Sequence, residues 1–126
     1  KVKLYDMGHC MGAANAYVLR DNKFSLLKTK NYNIALGIYP VIDLKHDTFR
    51  LQENDLLLLI TDGVTDQRNT DGEEFGITPV AQICRKSQGA SLKTIRDIVL
   101  QTISDFKGKN AQQDDITFVL IRRKEG

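Results

Sequence analysis

Tryptophan is absent, and proline, cysteine and methionine occur only twice each. Two cysteines, Cys10 and Cys84, are too few for a disulfide framework and suggest a reducing, cytoplasmic setting. No apolar run is longer than Leu56–Ile60, far below the roughly 20 residues of a membrane-spanning helix. No membrane segment is therefore expected, and no signal peptide is recognisable. Charge of one sign is not in excess: 18 Lys and Arg stand against 16 Asp and Glu, a net charge of +2. That leaves no basic footprint, and nucleic acid is not expected as a partner. A length of 126 residues fits one domain or part of one. The opening "KVKLYDMGH" reads as a strand already under way, so the chain is expected to be a portion of a longer protein.

The first half is β-like. Residues 1–6 alternate polar and apolar side chains. Asn15–Arg20 and Lys23–Leu27 flank Asp21-Asn22, residue types that tolerate left-handed backbone in a two-residue hairpin turn. Residues 28–40 read as loop, Thr48–Leu51 as a short strand, and Asp55–Thr61 as a central strand, because its unbroken apolar run implies burial on both faces. The second half is helical before it returns to strand. Thr78 is the expected N-cap of one helix, with Pro79 at its first position and Gly89 at its end. Ser91 caps a second helix, in which Leu92, Ile95, Ile98, Val99, Ile103 and Phe106 form one face and Gly108 the stop. Ile116–Ile121 is a β-prone closing strand, and Arg20, Arg122 and Arg123 read as solvated strand ends. An α+β fold of mainly antiparallel strands with two helices follows.

The chemistry concentrates after the central strand, in "TDGVTDQRNTDGEEFG" (Thr61–Gly76). A calcium loop is excluded by spacing. With Gly72 at loop position 6, positions 1 and 12 fall on Gln67 and Thr78, neither a carboxylate. Asp71, Glu73 and Glu74 read as a solvated turn. Asp62 differs, because a rigid strand holds it and Gly63 leaves room beside it for water and substrate. Asp114-Asp115 immediately precedes the closing strand, and adjacent carboxylates are tolerated in solvent or beside a cation. If the two strands are neighbours, Asp62 and Asp114 reach one sheet edge and could share a metal. Turn capping is the bland alternative for both. The cysteines read as small core hydrophobes.

The order of these pieces is recognisable. "NDLLLLITDGVTDQRNTDGEEFG", a two-helix segment and "DDITFVLIRR" resemble the C-terminal part of the metal-dependent Ser/Thr phosphatases of the PPM (PP2C-like) family. The similarity is greatest to the bacterial branch of stage II sporulation protein E and the sigma-factor regulators, whose pattern runs roughly pGDxLLLYTDGvtEarn, geeFG, DDiT. "LYDMGHC" (Leu4–Cys10) is similar to the family's "yxdAGHnp", and "ALGI" (Ala35–Ile38) to its "lGi" loop. Glu53-Asn54 stands where the family has Pro-Gly, Asp66 where it commonly has Glu, and Cys10-Met11-Gly12 where it has Asn-Pro-Pro. The early GGD-type and DVxGHG-type motifs are not in these 126 residues.

The resemblance implies the following. The fold is part of an α-β-β-α sandwich, with residues 1–126 as the C-terminal portion of one phosphatase domain. Asp62 and Asp114 are metal ligands for Mn²⁺ or Mg²⁺, two ions in a complete domain. Asp115 and Gly63 lie in the second shell or at the metal. Asp6 is not a ligand. His9 is either a general acid on the substrate side or a backbone hydrogen-bonding group. The substrate is a phosphoserine or phosphothreonine protein, such as an anti-sigma-factor antagonist in a partner-switching pathway. A non-catalytic, phosphatase-like regulatory module is the alternative. The chain alone is expected to be inactive. It should pair with the missing N-terminal half or a second copy, because part of Leu56–Ile60 would otherwise face water.

Overall fold

The computed structural model describes residues 2–4, 14–28 and 46–124. His9, Asp6, Cys10, the "ALGI" loop and most of the stretch expected to be loop lie outside them. Strands β1 (Val2–Leu4) and β4 (Asp47–Phe49) form an antiparallel ribbon. A four-stranded antiparallel sheet has the order β3-β2-β5-β6, from β2 (Ala14–Arg20), β3 (Lys23–Leu26), β5 (Leu56–Thr61) and β6 (Phe118–Arg122). Among the described residues there are three helices, α1 (Asp62–Thr65), α2 (Thr78–Lys86) and α3 (Leu92–Lys107). The architecture is α+β, as the sequence implies.

Local chemistry accounts for the punctuation. Asp21 (φ 49°) and Asn22 (φ 63°) are both left-handed, the geometry a two-residue hairpin turn needs. Asn54 (φ 66°) takes the left-handed position before β5, so it replaces the family's glycine without distorting the turn. Ser91 Oγ accepts the Thr94 amide at 3.1 Å and caps α3, and Gly108 (φ 56°) ends it. The other helix boundary moves by one residue. Helix α2 starts at Thr78 itself, so Ile77 (φ −89°, ψ −23°) and not Thr78 takes the N-cap position, without a side-chain capping bond, and the helix closes at Ser87 before Gly89 is reached. Strand β4 begins before Thr48, and β6 begins two residues after Ile116. The one-turn helix α1 was not expected from the sequence.

Strand alternation divides the apolar residues between two faces. Leu19, Leu56, Leu58 and Ile60 face the helices and pack with Val80 and Cys84 of α2, Ile95, Val99 and Ile103 of α3, and Phe75. Ile98 is not part of the buried stripe and is exposed, because the i, i+4, i+8 line of Ile95, Val99 and Ile103 already fills the contact. On the opposite face the row Val18–Leu57–Ile121 crosses the sheet. The expectation that part of Leu56–Ile60 faces water fails. Leu56, Leu57, Leu58 and Ile60 are all buried, and Leu59 is half-buried. The large apolar exposure falls on the edge strand β6 instead, at Val119 (46%) and Ile121 (40%).

Arg20 is not a solvated strand end. Its Nε lies 3.0 Å from both oxygens of Asp55, a second nitrogen also binds that carboxylate, and the guanidinium covers the Phe49 ring at 5.2 Å. The contact ties the β1–β4 ribbon to the main sheet. Arg122 and Arg123 are likewise engaged, with the carbonyls of Ala90 (2.7 Å) and Leu51 (2.6 Å). Asp55 is 2% exposed. Burial would raise its pKa, but the Arg20 hydrogen bonds, the Gln52 amide and the charges of Arg20 and Arg123 outweigh burial and hold it below the ordinary carboxylate range. A depressed pKa stabilises the fold above the unfolded value and loses that contribution as pH falls through the folded one. Asp55→Asn should therefore cost about 2 kcal/mol at neutral pH, the scale of hydrogen bonds to a charged group. The gap between variant and wild type in thermal unfolding should close as pH drops below about 3.9, the ordinary Asp value.

Candidate metal centre

Strands β5 and β6 are antiparallel neighbours, with Ile60 opposite Phe118. One residue beyond this pair, Thr61 donates through both its amide and its hydroxyl to the Thr117 carbonyl, each at 3.1 Å. The chain leaving β5 and the chain entering β6 thus meet at the same end of the sheet, which brings the "TDG" and "DDIT" segments together. The structure carries this further at Gly63. A Cβ built on that residue would lie 1.9 Å from the Asp115 carbonyl oxygen and 2.8 Å from its carbon. The backbone of α1 and the Asp114–Asp115 turn are therefore in a contact that only glycine permits.

Asp62 begins α1, and Asp114 stands just outside β6; both are exposed, as is Asp115. One Asp114 oxygen accepts the Asp115 amide at 2.8 Å, which fixes the carboxylate's orientation. No hydrogen bond to the Asp62 carboxylate is present among the described residues, so its oxygens are committed to nothing else. Several acidic side chains lie near one another here. Partial desolvation raises the Asp66 carboxyl above its ordinary range, and the charges of Asp62, Glu74 and Asp114 push the same way, with Arg68 pulling against them. Burial raises the Tyr17 hydroxyl, and the charge of Asp62 adds to that.

The donor set fits a hard divalent cation: carboxylate oxygens with free lone pairs, beside a glycine cradle, in a field a cation would relieve. Among the described residues no three His, Cys, Asp or Glu side chains converge as a metal cluster. What the described residues bring together is the two segments that carry Asp62 and Asp114, not a closed cage.

The rest of the acidic stretch is a turn. Asn69 Oδ1 accepts the amides of Asp71 (3.0 Å) and Glu73 (2.9 Å), Gly72 is left-handed (φ 81°), and Arg68 pairs with Glu74 at 2.9 Å. Asp71, Glu73 and Glu74 are exposed, as expected of a solvated turn, and Glu74 lies close enough to Asp66 to raise its carboxyl. Cys84 is buried, and burial pushes its thiol up to about 11, so it is an inert core residue. Gln67, Asn110 and Gln113 contact the Asp114 loop and were not anticipated; no motif marks them.

The antiparallel sheet with helices packed on one face is the arrangement of PP2C-like phosphatase domains, which it resembles in solved structures. Residues 5–124 match the family described as stage II sporulation protein E (SpoIIE), and the chain belongs to that family. It is 31% identical over 112 residues to phosphoserine phosphatase RsbU of Bacillus subtilis, covering 86% of this chain and 31% of that protein. The SiaA-PP2C domain of Pseudomonas aeruginosa superposes with a TM-score of 0.69 at 25% identity, covering 88% of this chain and 44% of that one. The phosphatase domain of SpoIIE from Bacillus subtilis gives 0.64 at 15% identity, covering 98% and 57%. The chain thus spans about half the length of these solved domains and under a third of the curated relative. No helix among the described residues is long and apolar enough to cross a membrane.

Gly63→Ala tests the cradle. The added methyl meets backbone, not a flexible side chain, so one of the two segments must move. The loss of stability should be at least about 1–3 kcal/mol, the usual cost of overpacking. Thermal unfolding of the variant beside Gly89→Ala, where a Cβ meets open space, gives the comparison.

Proposed function

We propose that the full-length parent is a metal-dependent phosphoprotein Ser/Thr phosphatase and that Asp62 and Asp114 are this chain's ligands to Mn²⁺ or Mg²⁺. The observation that carries the reading is the glycine-only contact of Gly63 with Asp115, which holds the two Asp-bearing segments at one sheet end. Paired divalent ions at such a site acidify water and stabilise charge on phosphoryl oxygens. The chain's own residues do the holding. Asp62 is anchored by the end of β5, and Asp114 is aligned by the Asp115 amide. Asp115 and Gly63 form the surrounding shell. Desolvation first, and the charges of Asp62, Glu74 and Asp114 after it, raise the Asp66 carboxyl above its ordinary range, a shift that a cation at this site would oppose. The remaining ligands come from the part of the domain beyond these residues.

The substrate class is a phosphoserine or phosphothreonine protein in the cytoplasm, the phosphoserine part supported by similarity to phosphoserine phosphatase RsbU, and the particular substrate proposed is an anti-sigma-factor antagonist in a partner-switching pathway. The non-catalytic alternative draws on the lack of any group of three metal-ligating side chains among the described residues, and activity of the parent decides between them. Asp62→Asn in the parent should lower Mn²⁺-dependent turnover of a phosphoprotein by at least about a hundredfold with the fold intact, the upper end of the loss expected even from a residue that only supports a metal ligand. Phosphate release that survives EDTA, or a variant as active as wild type, would sink the assignment. The 126 residues alone should release no phosphate and bind Mn²⁺ weakly, since Mg²⁺-type sites want six oxygens. Titration calorimetry on the isolated chain measures this directly.

A further inference from the structure

Asp114 is exposed and lies between a helix and an edge strand, where a loop would ordinarily be free to move. Here the three residues before it are suspended from the turn that follows Asp62. Gln67 Nε2 donates to the Ala111 carbonyl at 3.1 Å and to the Arg68 carbonyl at 3.0 Å. The Arg68 amide donates to Gln113 Oε1 at 3.1 Å. Asn110 Nδ2 donates to the carbonyls of Arg68 (3.0 Å) and Asn69 (3.1 Å). Residues 67–69 are in turn bound to the end of α1, since the Gln67 amide donates to the Val64 carbonyl at 3.4 Å.

Gln67 is the centre of this arrangement and is 1% exposed. Both partners of its Nε2 are carbonyl oxygens, which only the amine end of the amide can satisfy, so its orientation is fixed. The consequence is that Gln67 Oε1 is the buried side-chain polar atom left without a partner among the described residues. An unpaired buried acceptor is destabilising, so the two donated bonds hold this orientation against a cost. A solvent-facing Gln would pay no such penalty. The geometry is that of a side chain kept for what it holds.

We infer that Gln67 is a positioning residue for Asp114. Its buried amide, with Asn110 and Gln113, ties residues 111–113 to the backbone that carries Asp62. One continuous segment, 61–69, then sets both carboxylates: Asp62 directly, and Asp114 through the tether on one side and the Gly63–Asp115 and Thr61–Thr117 contacts on the other. The tether follows from the contacts alone; the task it serves rests on the metal-site reading above.

The test uses the full-length parent in three variants. Gln67→Met keeps the volume and removes the donor. Gln113→Ala removes the acceptor for the Arg68 amide at an exposed position that does not threaten folding. Val99→Ala is a core control away from the loop. Two quantities are read: amide hydrogen exchange over 111–116 in metal-free protein, and Mn²⁺ affinity by titration calorimetry. Gln67→Met should speed exchange over 111–116 and weaken Mn²⁺ binding, each by about tenfold, the scale of losing a group that orients a ligand. Gln113→Ala should move both in the same direction by less. Val99→Ala should lower the melting temperature and leave both unchanged. Wild-type exchange in Gln67→Met and Gln113→Ala, or an equal rise in Val99→Ala, overturns the inference. If Gln67→Met does not fold, Gln113→Ala decides alone. A wild-type parent that binds no Mn²⁺ removes the phosphatase reading, and the exchange rates still decide the tether.

Discussion

The approach of the Gly63 backbone to the Asp115 carbonyl is the constraint on which the rest of this molecule's candidate chemistry depends. A Cβ would sit 1.9 Å from that oxygen, inside any contact real atoms make. Because glycine is there, α1 can begin immediately at the end of β5 and still lie against the entry to β6. Strand pairing alone would bring Thr61 beside Thr117 and no further. The absent side chain, more than any present one, lets two carboxylate-bearing turns share one sheet end.

The opposite end of β5 is held by different physics. There Asp55 is buried and ionised, and it stays so because Arg20, the Gln52 amide and nearby positive charge outweigh desolvation. Between these ends, four buried side chains of β5 lock it on both faces. The strand is thus a rigid bar: a charge pair at one terminus, a packed middle, and a site at the other. Sites on strand termini gain precision from that rigidity. Neither end would be stiff without the burial between them, since an isolated edge contact frays.

Much of this was legible in the sequence, and the failures have physical reasons. The hairpin, the central strand and the cap and stop of α3 are written in local chemistry: Asp-Asn at positive φ, a continuous apolar run, a Ser hydroxyl, a Gly. Asp62 and Asp114 were singled out as candidate ligands through residue type, spacing and family likeness together, and the segments that carry them meet at one sheet end. Arg20 was misread because its partner lies 35 residues away, and no local pattern reports a long-range ion pair. Ile98 was misplaced because periodicity marks a face wider than the contact that forms. Gln67 was invisible for a third reason. The family pattern has alanine at its place, and a polar residue in an acidic turn reads as solvated until its burial is seen.

The charge balance at the site explains why so much hydrogen bonding is spent on a surface turn. Asp62, Asp66, Asp114 and Asp115 lie on the two segments that meet at this sheet end, and the Asp66 carboxyl, raised first by desolvation, is raised further by the charges of Asp62, Glu74 and Asp114. Left to solvent, such a cluster would be relieved most cheaply by the loop swinging away, since like charges lose energy as they separate. The tether from Gln67, Asn110 and Gln113, the glycine contact and the Thr61–Thr117 bonds oppose that movement using neutral groups only. Neutral hydrogen bonds do not compete for a cation and do not screen the carboxylates from one. The scaffold therefore keeps the repulsion in place, and a divalent ion arriving there would relieve electrostatic strain that the fold has already accepted.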